Sequence, residues 1–369
     1  MSESLDCLEG ARRRPGMYIG SVDQNGWHAM LWYVIGYRLD AYLAGTLTRL
    51  IVRLEAGGGV TVGDNDHGLM SDPLHGESSF EDTLTTSQRR GAHERHPRAA
   101  VDWSGQLLCA VNALSSRLVV DLRGENSFRH LEYERGVLRV VTSHSEAGTR
   151  PGAIVSFWPD TIVLTATTFD YETIVEHLRV LCYLNPGLTV QAIDARPETP
   201  DACAFHFPNG VRAYVRALNR DRRILHKPIG ISAYSGSTRI DVAIQYHGGA
   251  DTTVVSYVNN HRTLDGGTHV AGLYAALGRV LNALGPGTSI PWRGNLVKRD
   301  IAPGLCAVVS VWVVEPMTDT STWVRLSNRE VRRDVKAAVE NGLTRHFEQS
   351  PRDLRKIISH CTAQQGRDA

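Results

Sequence analysis

Apolar residues recur on more than one face across residues 26–45, a pattern that predicts a helix buried nearly all round. Short apolar runs at 50–54 and 60–62, joined by Gly57-Gly58-Gly59, predict a hairpin. From Gly68 to Gly105 the chain is polar, with His93-Glu94-Arg95-His96-Pro97 in its middle, and its weak periodicity marks a functional lid or a disordered loop. Order resumes with a helix ending at Ser115, then strands near 117–122, 129–134, 137–142 and 153–158. Thr168 or Asp170 caps a helix running to Leu184, which Asn185-Pro186-Gly187 stops before a short strand at 188–192.

Pro197, Pro200 and Asp201 mark a boundary, giving domains at 1–200 and 201–369. The second half predicts strands at 210–217, 238–246, 253–258 and 304–314, with helices at 268–284 and 328–348. Strand, helix, strand at that spacing is a crossover unit, and the alternation along the chain predicts an α/β (α+β) protein.

The 369 residues are 42% apolar, with Lys+Arg 40 against Asp+Glu 39. The resulting charge of +1 leaves no whole-chain footprint for nucleic acid or an anionic membrane, so direct DNA binding is not expected and any DNA contact must be local. Only Lys227, Lys298, Lys336 and Lys356 are lysines, a bias that reflects a GC-rich genome rather than chemistry. Glu3 and Asp6 without an apolar segment, and an apolar run near 307–314 too short for a bilayer, predict a cytoplasmic protein. The six cysteines are scattered without C-x-x-C spacing, which predicts reduced thiols rather than a zinc site or disulfide framework.

Asp64-Asn65-Asp66-His67-Gly68 has its glycine one place early for a calcium loop and lacks the closing glutamate. His93 and His96 have no further ligand partner and read as a solvated lid face. Asp265-Gly266-Gly267-Thr268-His269 ends a strand and opens a helix, where bare amides favour either an anion or a plain turn. No Walker loop, dinucleotide fingerprint, nucleophile elbow or HExxH occurs.

Taken in order, several segments resemble the ATPase half of DNA gyrase B and its type II topoisomerase relatives. The chain opens on Leu8-Glu9-Gly10-Ala11-Arg12-Arg13-Arg14-Pro15-Gly16-Met17-Tyr18-Ile19-Gly20-Ser21, close to the family's opening signature. Leu43-Ala44-Gly45, the segment from Asp64 to Gly68, and Val111-Asn112-Ala113-Leu114-Ser115 follow. Phe157-Trp158-Pro159-Asp160, Asn259-Asn260 and Asp265 to His269 complete the series. The resemblance implies a Bergerat-type ATPase α/β sandwich followed by a ribosomal-protein-S5-like transducer domain. Family members bind ATP and magnesium and dimerise. The chain has no room for the cleavage domains, so it resembles a degenerate paralogue rather than a complete topoisomerase.

Residues the family uses for chemistry are altered here. The family's general-base glutamate and, four residues on, its magnesium-ligating asparagine are matched by Tyr33 and Tyr37, while Asp40 is retained. A neutral phenol neither activates water well nor replaces an amide oxygen on magnesium. Asp64 matches the adenine-binding aspartate and Gly68 the following glycine, but Asp66 stands where glycine is usual and His67 where arginine is usual. Of the lid glycines only Gly105 remains, in Asp102-Trp103-Ser104-Gly105-Gln106-Leu107-Leu108, and Leu107 blocks a close backbone approach to phosphate. Ala153 matches a pocket threonine, Arg123 a rim arginine, and Trp323 the transducer lysine that neutralises the terminal phosphate.

These replacements predict that ATP hydrolysis and its cofactors, ATP and magnesium, are lost. With Tyr33, Tyr37, Trp103 and Trp323, the site becomes aromatic and suits a small organic molecule. Tyr33, Tyr37, Asp64 and His67 are the candidates for acid-base or orienting work in a cyclisation or isomerisation of specialised metabolism. The alternatives are tyrosines that merely fill a dead pocket, a decoy that pairs with a gyrase subunit or confers drug tolerance, and, last, a working ATP-dependent topoisomerase ATPase subunit with unusual residues. A homodimer is a further partner consistent with the family.

Overall fold

The computed structural model describes residues 7–66, 80–86, 107–145, 150–166, 168–292, 294–319 and 323–365. The chain divides into two compact units after Pro208.

The first unit begins with helices α1 (Cys7–Arg13), α2 (Gly16–Ile19) and α3 (Gln24–Ala44), followed by strands β1 (Arg49–Leu54) and β2 (Val60–Asp64). Helices α4 (Phe80–Thr85) and α5 (Leu108–Ala113) lead into β3 (Ser115–Arg123), β4 (Ser127–Glu134), β5 (Val137–Ser145) and β6 (Gly152–Pro159). Helix α6 (Tyr171–Leu184), β7 (Thr189–Asp194) and β8 (Asp201–His206) close the unit. The strands form one sheet in the order β5-β4-β3-β6-β2-β1-β7-β8, antiparallel throughout except for the β1–β7 pair. Strand β8 pairs with β7, so the first sheet extends past residue 200.

Helix α3 runs through the middle of this unit's core. The Asp23 carboxylate caps it by accepting from the Asn25 N–H at 2.8 Å, and Gly45 ends it at φ +85°, a conformation glycine adopts without a side-chain penalty. Trp27, Met30, Leu31, Val34, Ile35 and Leu39 are buried on several of its faces, as its all-round apolar pattern requires.

Two expectations need correction here. Residues 80–85, inside the stretch read as a polar lid, form α4, whose Phe80 and Leu84 are buried and whose Leu84 carbonyl accepts from the Asn112 side chain at 2.9 Å. Two apolar residues in a six-residue helix leave too little periodicity to see in the sequence. Cys7 and Cys109, expected as reduced thiols, are joined by a disulfide between α1 and α5, with their Cα atoms 6.3 Å apart. Sequence spacing could not reveal the pair, because 102 residues separate its members.

The second unit has α7 (Gly210–Leu218), β9 (Ile229–Ser235), β10 (Thr238–Tyr246), β11 (Thr253–Val258), β12 (His261–Arg262), α8 (Thr268–Leu284), α9 (Lys298–Ile301), β13 (Leu305–Trp312), α10 (Arg329–Gln349) and α11 (Pro351–Gln364). Its sheet order is β12-β11-β13-β10-β9, and β11 and β13 run parallel with α8 between them in sequence, the expected crossover. Residues 210–217, expected as a strand, are helical. Val211, Ala213 and Val215 mimic alternation, but the residues that become buried are Val211 and Val215, one helical turn apart.

The near-neutral total conceals opposite halves. Residues 1–208 hold 18 Lys and Arg against 26 Asp and Glu, whereas residues 209–369 hold 22 against 13. Among the described residues no helix is long and apolar enough to cross a membrane.

Candidate functional site

The site expected from the sequence lies where α3 meets the end of β2, whose Asp64 also accepts the Ala153 N–H of β6. Tyr33 and Tyr37 stand four residues apart on α3. The Tyr33 hydroxyl donates to the Tyr18 carbonyl at 2.8 Å, tying the helix to the opening signature. The Tyr37 ring is 4% exposed and lies 5.4 Å from the ring of Phe80. Both rings therefore pack within the core of this unit, which is what filler side chains do. Asp40 sits half-buried one helical turn further along α3.

The residue that organises this region is one that sequence reasoning missed. Arg38 is 3% exposed, and its guanidinium donates from Nε to Asp64 Oδ2 and from Nη2 to Asp66 Oδ2, each at 2.6 Å. The second Asp64 oxygen accepts the N–H of Asp66 at 2.9 Å and of Ala153 at 3.2 Å. Burial alone would favour loss of the guanidinium charge. Attraction to Asp64, the hydrogen bond between them and the charge of Asp66 outweigh that, holding Arg38 above its ordinary pKa. A signal was present: one arginine in a stretch otherwise apolar from Ala29 to Leu39, together with an extra aspartate at position 66 where the family has glycine.

The strand register brings the rim residues to the same place. Arg123 pairs with Gly152 and Leu122 with Ala153 across β3 and β6, while Gly63 of β2 pairs with Ile154. A side chain at position 152 would strike the backbone of Asp64, so glycine permits β6 to pass this close. Arg123 is exposed, with its guanidinium carbon 6.0 Å from the Phe128 ring centroid. Asp64, Ala153 and Arg123 are thus brought together as expected. His67, Gly68, Trp103 and Gly105 lie outside the described residues. Trp323 belongs to the second unit, at φ +58° with its ring 4.9 Å from that of His261.

The other family segments are clasps between parts of the fold. Asp160 accepts from Arg12 Nη1 at 2.9 Å and Arg135 Nε at 3.0 Å, so the opening signature is pinned to the end of β6. The Asn259 side chain donates to the Val313 carbonyl at 2.9 Å and accepts the Val313 N–H at 2.8 Å. His269 is fully buried and its Nε2 lies 3.1 Å from the Thr263 hydroxyl. Each satisfies groups that burial would otherwise leave unpaired.

A family model described as DNA gyrase B matches residues 210–369. The DNA gyrase B protein of Archaeoglobus fulgidus is 34% identical over 97% of this chain and 57% of its own length. The mitochondrial gyrase B protein of Arabidopsis thaliana is 35% identical over 97% of this chain and 51% of its own length. Among solved structures, the 43K ATPase domain of Thermus thermophilus gyrase B, in complex with an aminocoumarin, superposes with a TM-score of 0.85 at 29% identity, covering 99% of this chain and 96% of that one. The chain belongs to the gyrase B-like ATPase and transducer family. It spans about half the length of the curated gyrase B relatives it matches. The family's mixed α/β architecture is retained in both units, and the gyrase B-like segments stand in family order. Within that frame, this gyrase B-like chain holds Arg38 in buried ion pairs with Asp64 and Asp66, beside the two tyrosines of α3.

Proposed function

We propose that this chain is a non-hydrolysing gyrase B-like protein whose remodelled first unit takes a small organic molecule in place of Mg-ATP. The observation that carries this reading is the hydrogen bond from Tyr33 to the Tyr18 carbonyl. The group at the general-base position is a neutral phenol that donates its proton to a backbone carbonyl, and its oxygen is far less basic than a carboxylate, so it is a poor acceptor for a proton from water. Tyr37, at the metal-ligand position, turns an aromatic ring toward Phe80 and offers no amide oxygen. ATP and magnesium do not suit this set of side chains.

The choice of a small organic molecule is supported by the aromatic character of the replaced positions and by the Thermus relative, whose domain was solved with an aminocoumarin. A cyclisation or isomerisation in specialised metabolism is the reaction class in view, because it needs orientation rather than a phosphate grip. The cytoplasm is the expected compartment, and direct DNA binding is not part of this reading.

A second reading is favoured by the retention of both family units over 97% of the chain. A non-hydrolysing copy of the ATPase and transducer region can pair with itself or with a gyrase subunit and modulate it. Calorimetric titration of the full chain with a non-hydrolysable ATP analogue and magnesium tests the shared premise, and submillimolar affinity or measurable phosphate release would refute it. A thermal-shift screen of biosynthetic intermediates then separates the two readings, since a ligand that binds only the folded state raises the melting temperature. Co-purification with a gyrase subunit and no shift with any small molecule would favour the modulator.

A further inference from the structure

We propose that Arg38 is a built-in occupant of the base-recognition aspartate: its guanidinium takes the place of a nucleobase on Asp64, and Asp66 is the counter-charge that holds it there. This rests on the reading above, because it explains how nucleotide selectivity is lost rather than how hydrolysis is lost.

The geometry supports it in three steps. Asp64 matches the family's adenine-binding aspartate, and a carboxylate selects a base by accepting N–H donors. Here its oxygens already accept three, from Arg38, Asp66 and Ala153. An incoming amino group must therefore displace a charge-assisted bond from a guanidinium that is itself shut away from water. Swinging Arg38 out would also strip the buried Asp66 carboxylate of its guanidinium counter-charge. The two residues form one device: an arginine on α3 and, after β2, an aspartate where the family has glycine, which cancel each other's charge. The occupant the site then selects is a neutral molecule, since Asp64, Arg38 and Asp66 together carry one net negative charge that disfavours a polyanion.

The test uses adenosine, which isolates base recognition from the altered phosphate lid. Arg38→Ala combined with Asp66→Gly removes the added pair while conserving net charge. By saturation-transfer NMR and calorimetry on the full chain, the double variant should bind adenosine more tightly than the wild type by about tenfold or more. Adding Asp64→Asn should abolish the gain. A folded double variant no better than the wild type would overturn the inference. Should the double variant fail to fold, Arg38→Gln with Asp66→Asn provides a milder neutral pair with the same readout. An arm on the wild type stands in either case. The Arg38 Nε–H resonance should stay protected and unshifted when adenosine is added, and its loss with binding of the base would sink the idea. Nucleotide hydrolysis by the wild type would instead strike the proposed function itself, so the two failures are distinguishable.

Discussion

The two units have kept different things from the same family. In the second, Asn259 clasps Val313 and His269 meets Thr263, contacts that satisfy buried polar groups and would be needed whatever the chain does. In the first, the clasp of Asp160 by Arg12 and Arg135 is equally intact, and the positions expected to face a ligand make contacts within the same unit. Tyr33 bonds a backbone carbonyl, Tyr37 packs on Phe80, and Arg38 closes on Asp64 and Asp66. Contacts that hold the fold persist in both units.

The largest expected effect separates the units at Arg38. Arg38→Ala alone takes the guanidinium from two carboxylates that are 1% and 4% exposed, at a cost of about 5 kcal/mol, the upper end for breaking a buried ion pair. Hydrogen exchange followed by mass spectrometry should show lost protection in β1, β2 and β6 while β10 and β13 stay as slow as in the wild type. Uniform loss across both sheets would mean that the triad is not local to the first unit.

The disulfide comes next. Closing a loop across 102 residues removes denatured-state entropy worth on the order of 4 kcal/mol. Cys109→Ser, or a reductant in the buffer, should lower the melting temperature of the first unit by several degrees. The second unit should not respond, because Cys306 and Cys361 are unpaired buried thiols whose burial pushes their pKa up to about 11 and 12. Equal responses, or an unchanged first unit with two free thiols by mass mapping, would remove the staple from the comparison.

Acid should reverse the order of sensitivity. Burial lowers the His269 pKa from 6.5 to about 4, so the folded state holds this ring neutral. Its contribution is complete above pH 6.5 and is lost as the pH falls toward 4, about 3 kcal/mol in all. The second unit should therefore weaken across that window, and His269→Gln should flatten the dependence. Asp160 in the first unit behaves differently. Burial opposes its ionisation, but the Ile162 N–H and the guanidinium groups of Arg12 and Arg135 prevail and hold its pKa low. That contribution is present above the ordinary carboxylate range and disappears only at lower pH, as the depressed pKa is crossed.

How much of this was legible in the sequence depended on distance along the chain. Helix α3 and the turn opening α8 are written locally, in caps, periodicity and paired glycines, and they stand where expected. Helix α7 was misread because three small apolar residues at alternate positions imitate a strand, and only the sheet they pack against decides the matter. The pairing of Arg38 and the Cys7–Cys109 bond were hard to read for a stronger reason. Their partners lie 26 and 102 residues away, so each half looks like an unremarkable polar or small residue until the fold brings the other half to it.

The smallest effect is the most diagnostic for Tyr33. Tyr33→Phe removes one hydroxyl and nothing else, and leaves the Tyr18 carbonyl without its donor. The loss should be about 1 kcal/mol, the ordinary net worth of such a bond, with nucleotide affinity unchanged. If the hydroxyl instead orients a ligand, the same variant would leave the melting temperature nearly untouched and weaken whatever small molecule the thermal-shift screen identifies. The two outcomes divide filler from function at the position where the family keeps its general base, because a structural hydroxyl registers in stability and a working one registers in binding.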